Sequence, residues 1–135
     1  MGRIIAIDFG TKRVGIAATD PLQIIASPMV TVDTSNAIEF LKEYCKKEEV
    51  DTIVIGMPLR LNGEETHATQ PAINFGKLLK KNIPNIEVDF EDEQYTSKMA
   101  VEAMVAGGMK KKDRRKKGNI DKVSAAIILQ SYLKK

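Results

Sequence analysis

Hydrophobic residues in this chain come in short blocks whose period changes along its length, and the changes mark out the elements. Near the start, Ile4-Ile5-Ala6-Ile7 is an unbroken apolar run rich in β-branched side chains, the pattern of a buried strand. Gly10 to Arg13 predict a tight turn, and Val14-Gly15-Ile16-Ala17-Ala18-Thr19 reads as a second strand returning beside the first. Asp20-Pro21 interrupts it. Ile24 to Val32 then predicts a third strand, whose Pro28 has no N–H for a ladder and belongs at a sheet edge.

From there the period lengthens. Ile38, Leu41, Tyr44 and Cys45 recur at helical spacing, which predicts a helix capped by Ser35 or Asn36 and running to about Glu48. Thr52-Ile53-Val54-Ile55-Gly56 is a continuous apolar run of the kind found in a central strand covered on both faces, and it ends at Met57-Pro58. After a polar loop from Arg60 to Thr66, the positions Ala72, Ile73, Phe75, Leu78 and Leu79 mark a second helix that stops before Pro84. Ile86 to Phe90 alternates as a fifth strand and leads straight into Glu91-Asp92-Glu93. A third helix is expected from about Thr96 to Ala106, ending at Gly107-Gly108, and a last one opens at Asn119 or Asp121 and runs through Leu133.

An antiparallel meander followed by strands alternating with helices predicts an α/β fold, a mixed five-stranded sheet with helices packed on it. With 135 residues and 43% hydrophobic content the chain has enough apolar surface for one core, so residues 1–135 are read as a single domain. No apolar run has the length of a membrane span and the N-terminus lacks a secretory pattern, which together predict a soluble, cytoplasmic protein. The lone Cys45 has no disulfide partner and falls on an apolar helical stripe, so it is read as a buried inert thiol. The lone His67 sits in a polar loop and is read as incidental.

Charge changes the picture through its placement. The net charge is only +3, yet Lys110 to Lys117 holds seven cations and one anion, so this block carries +6 and the remainder sums to −3. A cationic loop of this kind gives salt-dependent affinity for phosphate backbones with little sequence preference, although a solvated charge run is the more common fate of such segments. Few aromatic residues accompany it, which favours recognition of duplex or folded shape over stacking on single strands.

The acids are informative where they join apolar elements. If Ile4 and Ala6 face the interior, the period of two turns Asp8 the same way, and a buried carboxylate needs compensation by a cation. The Glu91 to Glu93 cluster follows a strand. Asp121 shares a helical stripe with Ala125 and Ile128, at i+4 and i+7, which turns it toward the sheet. Carboxylates converging from distant parts of a chain suit a hard cation such as Mg²⁺ or Mn²⁺. Three alternatives stand beside this: a salt bridge from Asp8 to Lys12 or Arg13, a solvated turn at Glu91 to Glu93, and Asp121 as the cap of the last helix.

The run Asp8-Phe9-Gly10-Thr11-Lys12-Arg13-Val14-Gly15 followed by Asp20 resembles the small bacterial Holliday-junction-resolvase-like family of RNase H fold, also described as pre-16S rRNA nucleases. Gly56-Met57-Pro58-Leu59 with Gly63, Asp92-Glu93-Gln94-Tyr95-Thr96-Ser97 and Asp121-Lys122-Val123-Ser124-Ala125-Ala126 resemble its other motifs in order. The resemblance implies an RNase H-like sheet, antiparallel in its first three strands, carrying Asp8, Glu93 and Asp121 as the catalytic ligands of Mg²⁺ or Mn²⁺ in a nuclease. It selects Glu93 from its cluster. Gln94 departs from the family's usual arginine, which shifts the expected contacts with nucleic acid to Lys12, Arg13, Arg60, Lys110, Lys111, Lys112, Arg114, Arg115, Lys116 and Lys117.

The implied substrate is precursor ribosomal RNA, cut at the 5′ end of 16S, or branched DNA in the manner of a junction resolvase, with the protein a monomer or homodimer. Two readings of other classes compete: a non-catalytic RNA-binding module, and an actin-like nucleotide-binding domain suggested by the Asp8-Phe9-Gly10-Thr11 turn. The second is disfavoured by length, since such proteins hold nucleotide between two domains.

Overall fold

The computed structural model describes residues 2–58, 69–93 and 117–134, with side chains described through Gly56, from Thr69 to Glu91 and from Asp121 onward. Along them the chain forms β1 (Arg3–Phe9), β2 (Arg13–Thr19), β3 (Ala26–Asp33), α1 (Thr34–Lys47), β4 (Val50–Pro58), α2 (Thr69–Asn82), β5 (Glu87–Glu93) and α3 (Lys117–Leu133). The five strands make one sheet in the order β3-β2-β1-β4-β5. β1 pairs β2, and β2 pairs β3, antiparallel, whereas β1 with β4 and β4 with β5 run parallel. This is the mixed five-stranded sheet expected from the pattern, with the RNase H-like character that the family resemblance implies.

Alternation within the strands divides the interior into two cores. Ile5, Ile7 and Phe9 of β1 pack with Ile16, Ile53 and Ile55 beneath Leu41 of α1 and Phe75 and Leu79 of α2. Ile4 and Ala6 turn the other way and meet Ala17, Val54 and, from α3, Ala125, Ile128 and Leu129. In β4, Ile53, Val54 and Ile55 are all fully buried, as a central strand covered on both faces requires. Each large aliphatic side chain withdrawn in this way contributes roughly 1.5–3 kcal/mol. Pro28 lies on the edge strand β3, and the register slips beside it, Ile16 facing Val30 and Ala17 facing Pro28.

Several boundaries differ from the pattern, each for a local reason. α1 begins directly after β3, with Asp33 rather than Ser35 or Asn36 at its N-cap and no side-chain capping bond. Thr34 fixes that start, because its N–H donates to the Lys12 carbonyl at 2.9 Å and its hydroxyl to the Gly10 carbonyl at 2.6 Å, tying the helix to the β1–β2 turn. β3 begins only at Ala26. Ile24 and Ile25 are left 67% and 63% exposed because the chain before β3 winds around Asp20, whose carboxylate accepts the N–H groups of Leu22, Ile24 and Ile25.

Cys45 is half-buried rather than buried, and desolvation pushes its thiol up, so the inert reading stands. Leu78 lies on the outer side of α2 at 50% exposure. The helix expected from Thr96 to Ala106 lies outside the described residues.

Asp20 makes this turn sensitive to pH. The backbone N–H of Ile25, with help from Ile24 and Leu22, holds its carboxyl below its ordinary value. A depressed pKa stabilises the fold above the unfolded-state value of about 4 and ceases to do so as the pH falls through the folded value. Asp20→Asn is therefore expected to lower the urea midpoint at pH 7, with the gap to the parent closing as the pH is taken below that value.

Candidate active site

The parallel strands β1, β4 and β5 end together at Phe9, Pro58 and Glu93, and the carboxyl ends of parallel strands are where open α/β sheets take their ligands. Asp8 is the last residue but one of β1. It follows Ile4 and Ala6 on the α3 face and is half-buried. Its cross-strand partners are Gly15 on β2 and Gly56 on β4, so neither adjacent strand places a side chain beside it. Opposite Gly56, one strand further out, stands Glu91 of β5, only 7% exposed.

Helix α3 is seated on Gly15. A Cβ added there would run into the carbonyl oxygen and carbon of Asp121, a position no side chain can share with backbone. The backbone of Asp121 therefore rests over the strand partner of Asp8, on the same face of the sheet. Ala125 and Ile128, four and seven residues on, are buried against the same face, as their spacing predicts. α3 starts at Lys117, so Asp121 stands inside the helix, and the alternative that it caps the helix is set aside.

The Asp121 carboxylate accepts the Nε–H of Arg13 at 3.1 Å. The salt bridge considered for Asp8 thus forms, for Arg13, with Asp121 instead. Asp8 has interactions of its own. The segment from Glu91 to Glu93 is part of β5, in register with Gly56 to Pro58, rather than a solvated turn. Glu93 ends that strand opposite Pro58, and its side chain lies outside the described residues.

Among the expected cationic contacts, Lys12 is exposed in the turn between β1 and β2 and Arg13 opens β2. Lys117 is the first residue of α3. Arg60, Lys110, Lys111, Lys112, Arg114, Arg115 and Lys116 lie outside the described residues, as does Gln94.

Asp8 and Asp121 offer carboxylate oxygens and nothing softer, the donors that Mg²⁺ and Mn²⁺ take. Among the described residues no three His, Cys, Asp or Glu side chains are grouped closely enough to hold an ion. Of the three ligands that the resemblance implies, Asp8 and Asp121 have described side chains and Glu93 does not. Two features escaped the sequence reading. On one face of β5, Glu91 is buried, and the exposed Asp89 two residues before it accepts the Tyr132 hydroxyl of α3 at 3.0 Å. The Arg13–Asp121 pair spans 108 residues, and no local pattern announces it.

A family model described as RuvX, Holliday junction resolvase, matches residues 2–135. A protein of Amoebophilus asiaticus named "Putative pre-16S rRNA nuclease" is 51% identical over 133 residues, covering 98% of this chain and 94% of its own. One of the same name from Phocaeicola vulgatus is 48% identical, covering 98% and 96%. Among solved structures, Thermus thermophilus RuvC in complex with a Holliday junction substrate aligns with a TM-score of 0.58 at 14% identity, over 98% of this chain and 94% of that one. At that identity the likeness speaks for the fold.

Gly15 generates the test of this geometry. Because the added methyl of Gly15→Ala meets backbone rather than a flexible side chain, α3 must lift from the sheet. The expected loss is at least the roughly 1–3 kcal/mol of an overpacked core, measured by denaturant unfolding, and Asp121 shifts with the helix.

Proposed function

The chain belongs to the RuvX Holliday junction resolvase family, and on that premise we propose that it is a divalent-metal-dependent endonuclease for structured nucleic acid, working in the cytoplasm on the 5′ end of precursor 16S ribosomal RNA. The observation that supports the reading is the seating of the Asp121 backbone on Gly15, the strand partner of Asp8, at the carboxyl ends of the parallel strands. Full-length relatives named for pre-16S rRNA nuclease activity support the choice of substrate. Among the described residues no helix is long and apolar enough to cross a membrane.

In this reading Asp8, Asp121 and Glu93 hold Mg²⁺ or Mn²⁺. When bound, the ion supplies charge neutralisation at the scissile phosphate and lowers the pKa of the attacking water. The chain's own contribution is position. Asp8 is carried by a strand paired on each side and Asp121 by a helix pressed onto glycine, so the backbone under each carboxylate is held in place. Lys12, Arg13 and Arg60 lie on or beside the same strand ends in sequence, and Lys110 to Lys117 leads directly into α3. These cations take the phosphates flanking the cut, interactions that orient a backbone without reading bases.

A second reading is favoured by the family description: the same residues would cut four-way DNA, where a two-fold substrate calls for a homodimer with paired sites. The two are separated by offering purified protein labelled structured RNA, single-stranded RNA and four-way DNA junctions, with Mg²⁺ or Mn²⁺ and with chelator. Cleavage of structured RNA is expected, and cleavage of junctions alone would replace the first reading with the second.

Asp8→Asn, Glu93→Gln and Asp121→Asn are each expected to lower metal-dependent cleavage by more than the roughly 10–100-fold that loss of an outer-shell partner costs, with circular dichroism and melting temperature near the parent's. Full activity in any one of them removes that residue from the ligand set. Neutralising Lys111, Lys112, Arg114 and Arg115 together should weaken binding and reduce the slope of log K against log salt by about 0.7–0.9 for each phosphate that is no longer neutralised. An unchanged slope would take the basic block out of the interface.

A further inference from the structure

Arg13 is the residue whose observed partner differs from the one its composition suggests. Among the described residues its guanidinium pairs with Asp121, Nε to Oδ2 at 3.1 Å, and the two side chains are 37% and 24% exposed. Neither backbone can follow a change of partner. Arg13 is the first residue of β2, in register with Asp33 of β3, and Asp121 is held where α3 sits on Gly15. What can move is the long stem of the arginine, whose side chain is 37% exposed.

A guanidinium within hydrogen-bond distance neutralises much of the charge that Asp121 offers a metal. Repulsion between a dication and an arginine is twice that between two monovalent charges at the same distance, whereas a half-exposed ion pair contributes little. Metal and guanidinium therefore compete for one carboxylate. A phosphate resolves the competition, because its two non-bridging oxygens can accept the parallel N–H groups of the displaced guanidinium and it adds negative charge beside the ion.

We propose that Arg13 is a positioning residue with two alternating partners, Asp121 in the free protein and a phosphate of the nucleic acid once a divalent cation occupies Asp121. The proposal rests on the reading of Asp121 as a metal ligand. Its consequence is reciprocal coupling: the cation raises affinity for nucleic acid, nucleic acid raises affinity for the cation by the same factor, and Arg13 carries part of that factor. The arrangement keeps the site poorly metallated until a substrate arrives.

The test uses the full chain and Mn²⁺, whose free concentration is read by electron paramagnetic resonance, together with anisotropy of a labelled duplex RNA whose phosphorothioate backbone resists hydrolysis. Without RNA, Arg13→Gln is expected to bind Mn²⁺ about tenfold more tightly than the parent, while Arg13→Lys, which keeps the charge, stays near the parent. The gain in RNA affinity on adding Mn²⁺ to chelated protein should shrink in Arg13→Gln by a similar factor. Arg13→Met, of similar length and uncharged, repeats the measurement if the glutamine variant does not fold. Unchanged or weaker Mn²⁺ binding in the uncharged variant overturns the proposal. If Asp121→Asn abolishes Mn²⁺ binding while Arg13→Gln leaves it unchanged, only the alternation falls; if Asp121→Asn binds Mn²⁺ like the parent, the metal reading of Asp121 falls and takes the alternation with it.

Discussion

The interaction on which this molecule depends is backbone against backbone, the first half of α3 pressed onto Gly15 of β2. It is possible because one face of the sheet is built from small residues. Gly15, Ala17, Ala6 and Gly56 lie along the α3 face with Ile4 and Val54, whereas the opposite face presents Ile5, Ile7, Ile16, Ile53 and Ile55 to α1 and α2. Small side chains let a helix close on a sheet; large ones hold helices further off and supply most of the buried volume. The two faces divide the work between placing one helix accurately and providing stability.

The candidate site follows from that division. A carboxylate at the end of a buried strand is costly wherever bulky apolar neighbours enclose it, and here the neighbours on both strands are glycines. The same absence of side chains that admits α3 leaves Asp8 beside the helix, and the helix in turn brings Asp121. The cation at Arg13 then offsets the negative charge that Asp121 brings to the sheet.

How much of this was legible follows from the range of each interaction. Asp8 and Asp121 were readable because each continues a period, two along β1 and three to four along α3, that the apolar residues around it define. Gly15 was visible only as a small residue in a strand, because its reason lies in a segment more than a hundred positions away. Ile24 and Ile25 have the composition of a strand, yet three backbone N–H groups turned onto one carboxylate outcompete ladder pairing there. Thr34 likewise overrides the better capping residues that follow it by bonding to the β1–β2 turn. Glu93 was singled out by family resemblance rather than by its own neighbourhood, and the burial of Glu91 two residues earlier had no local signal at all.

The candidate acids are thus placed by one close junction, whereas the choice of substrate, under the proposed function, belongs to what is attached to it. The two segments leaving the carboxyl ends of β4 and β5, residues 59–68 and 94–116, begin at the edge where Asp8 and Asp121 stand, and they contain Arg60 and all but the last residue of the basic block. Outside that block the chain is net negative, so under the proposed function the block rather than the protein at large is the part of the sequence that draws nucleic acid. Phosphate contacts of this kind carry no sequence information. Under the proposed function, discrimination between folded RNA and branched DNA would rest on the shape that these cations can follow rather than on Asp8 and Asp121, which leaves substrate choice free to differ between proteins sharing the same sheet.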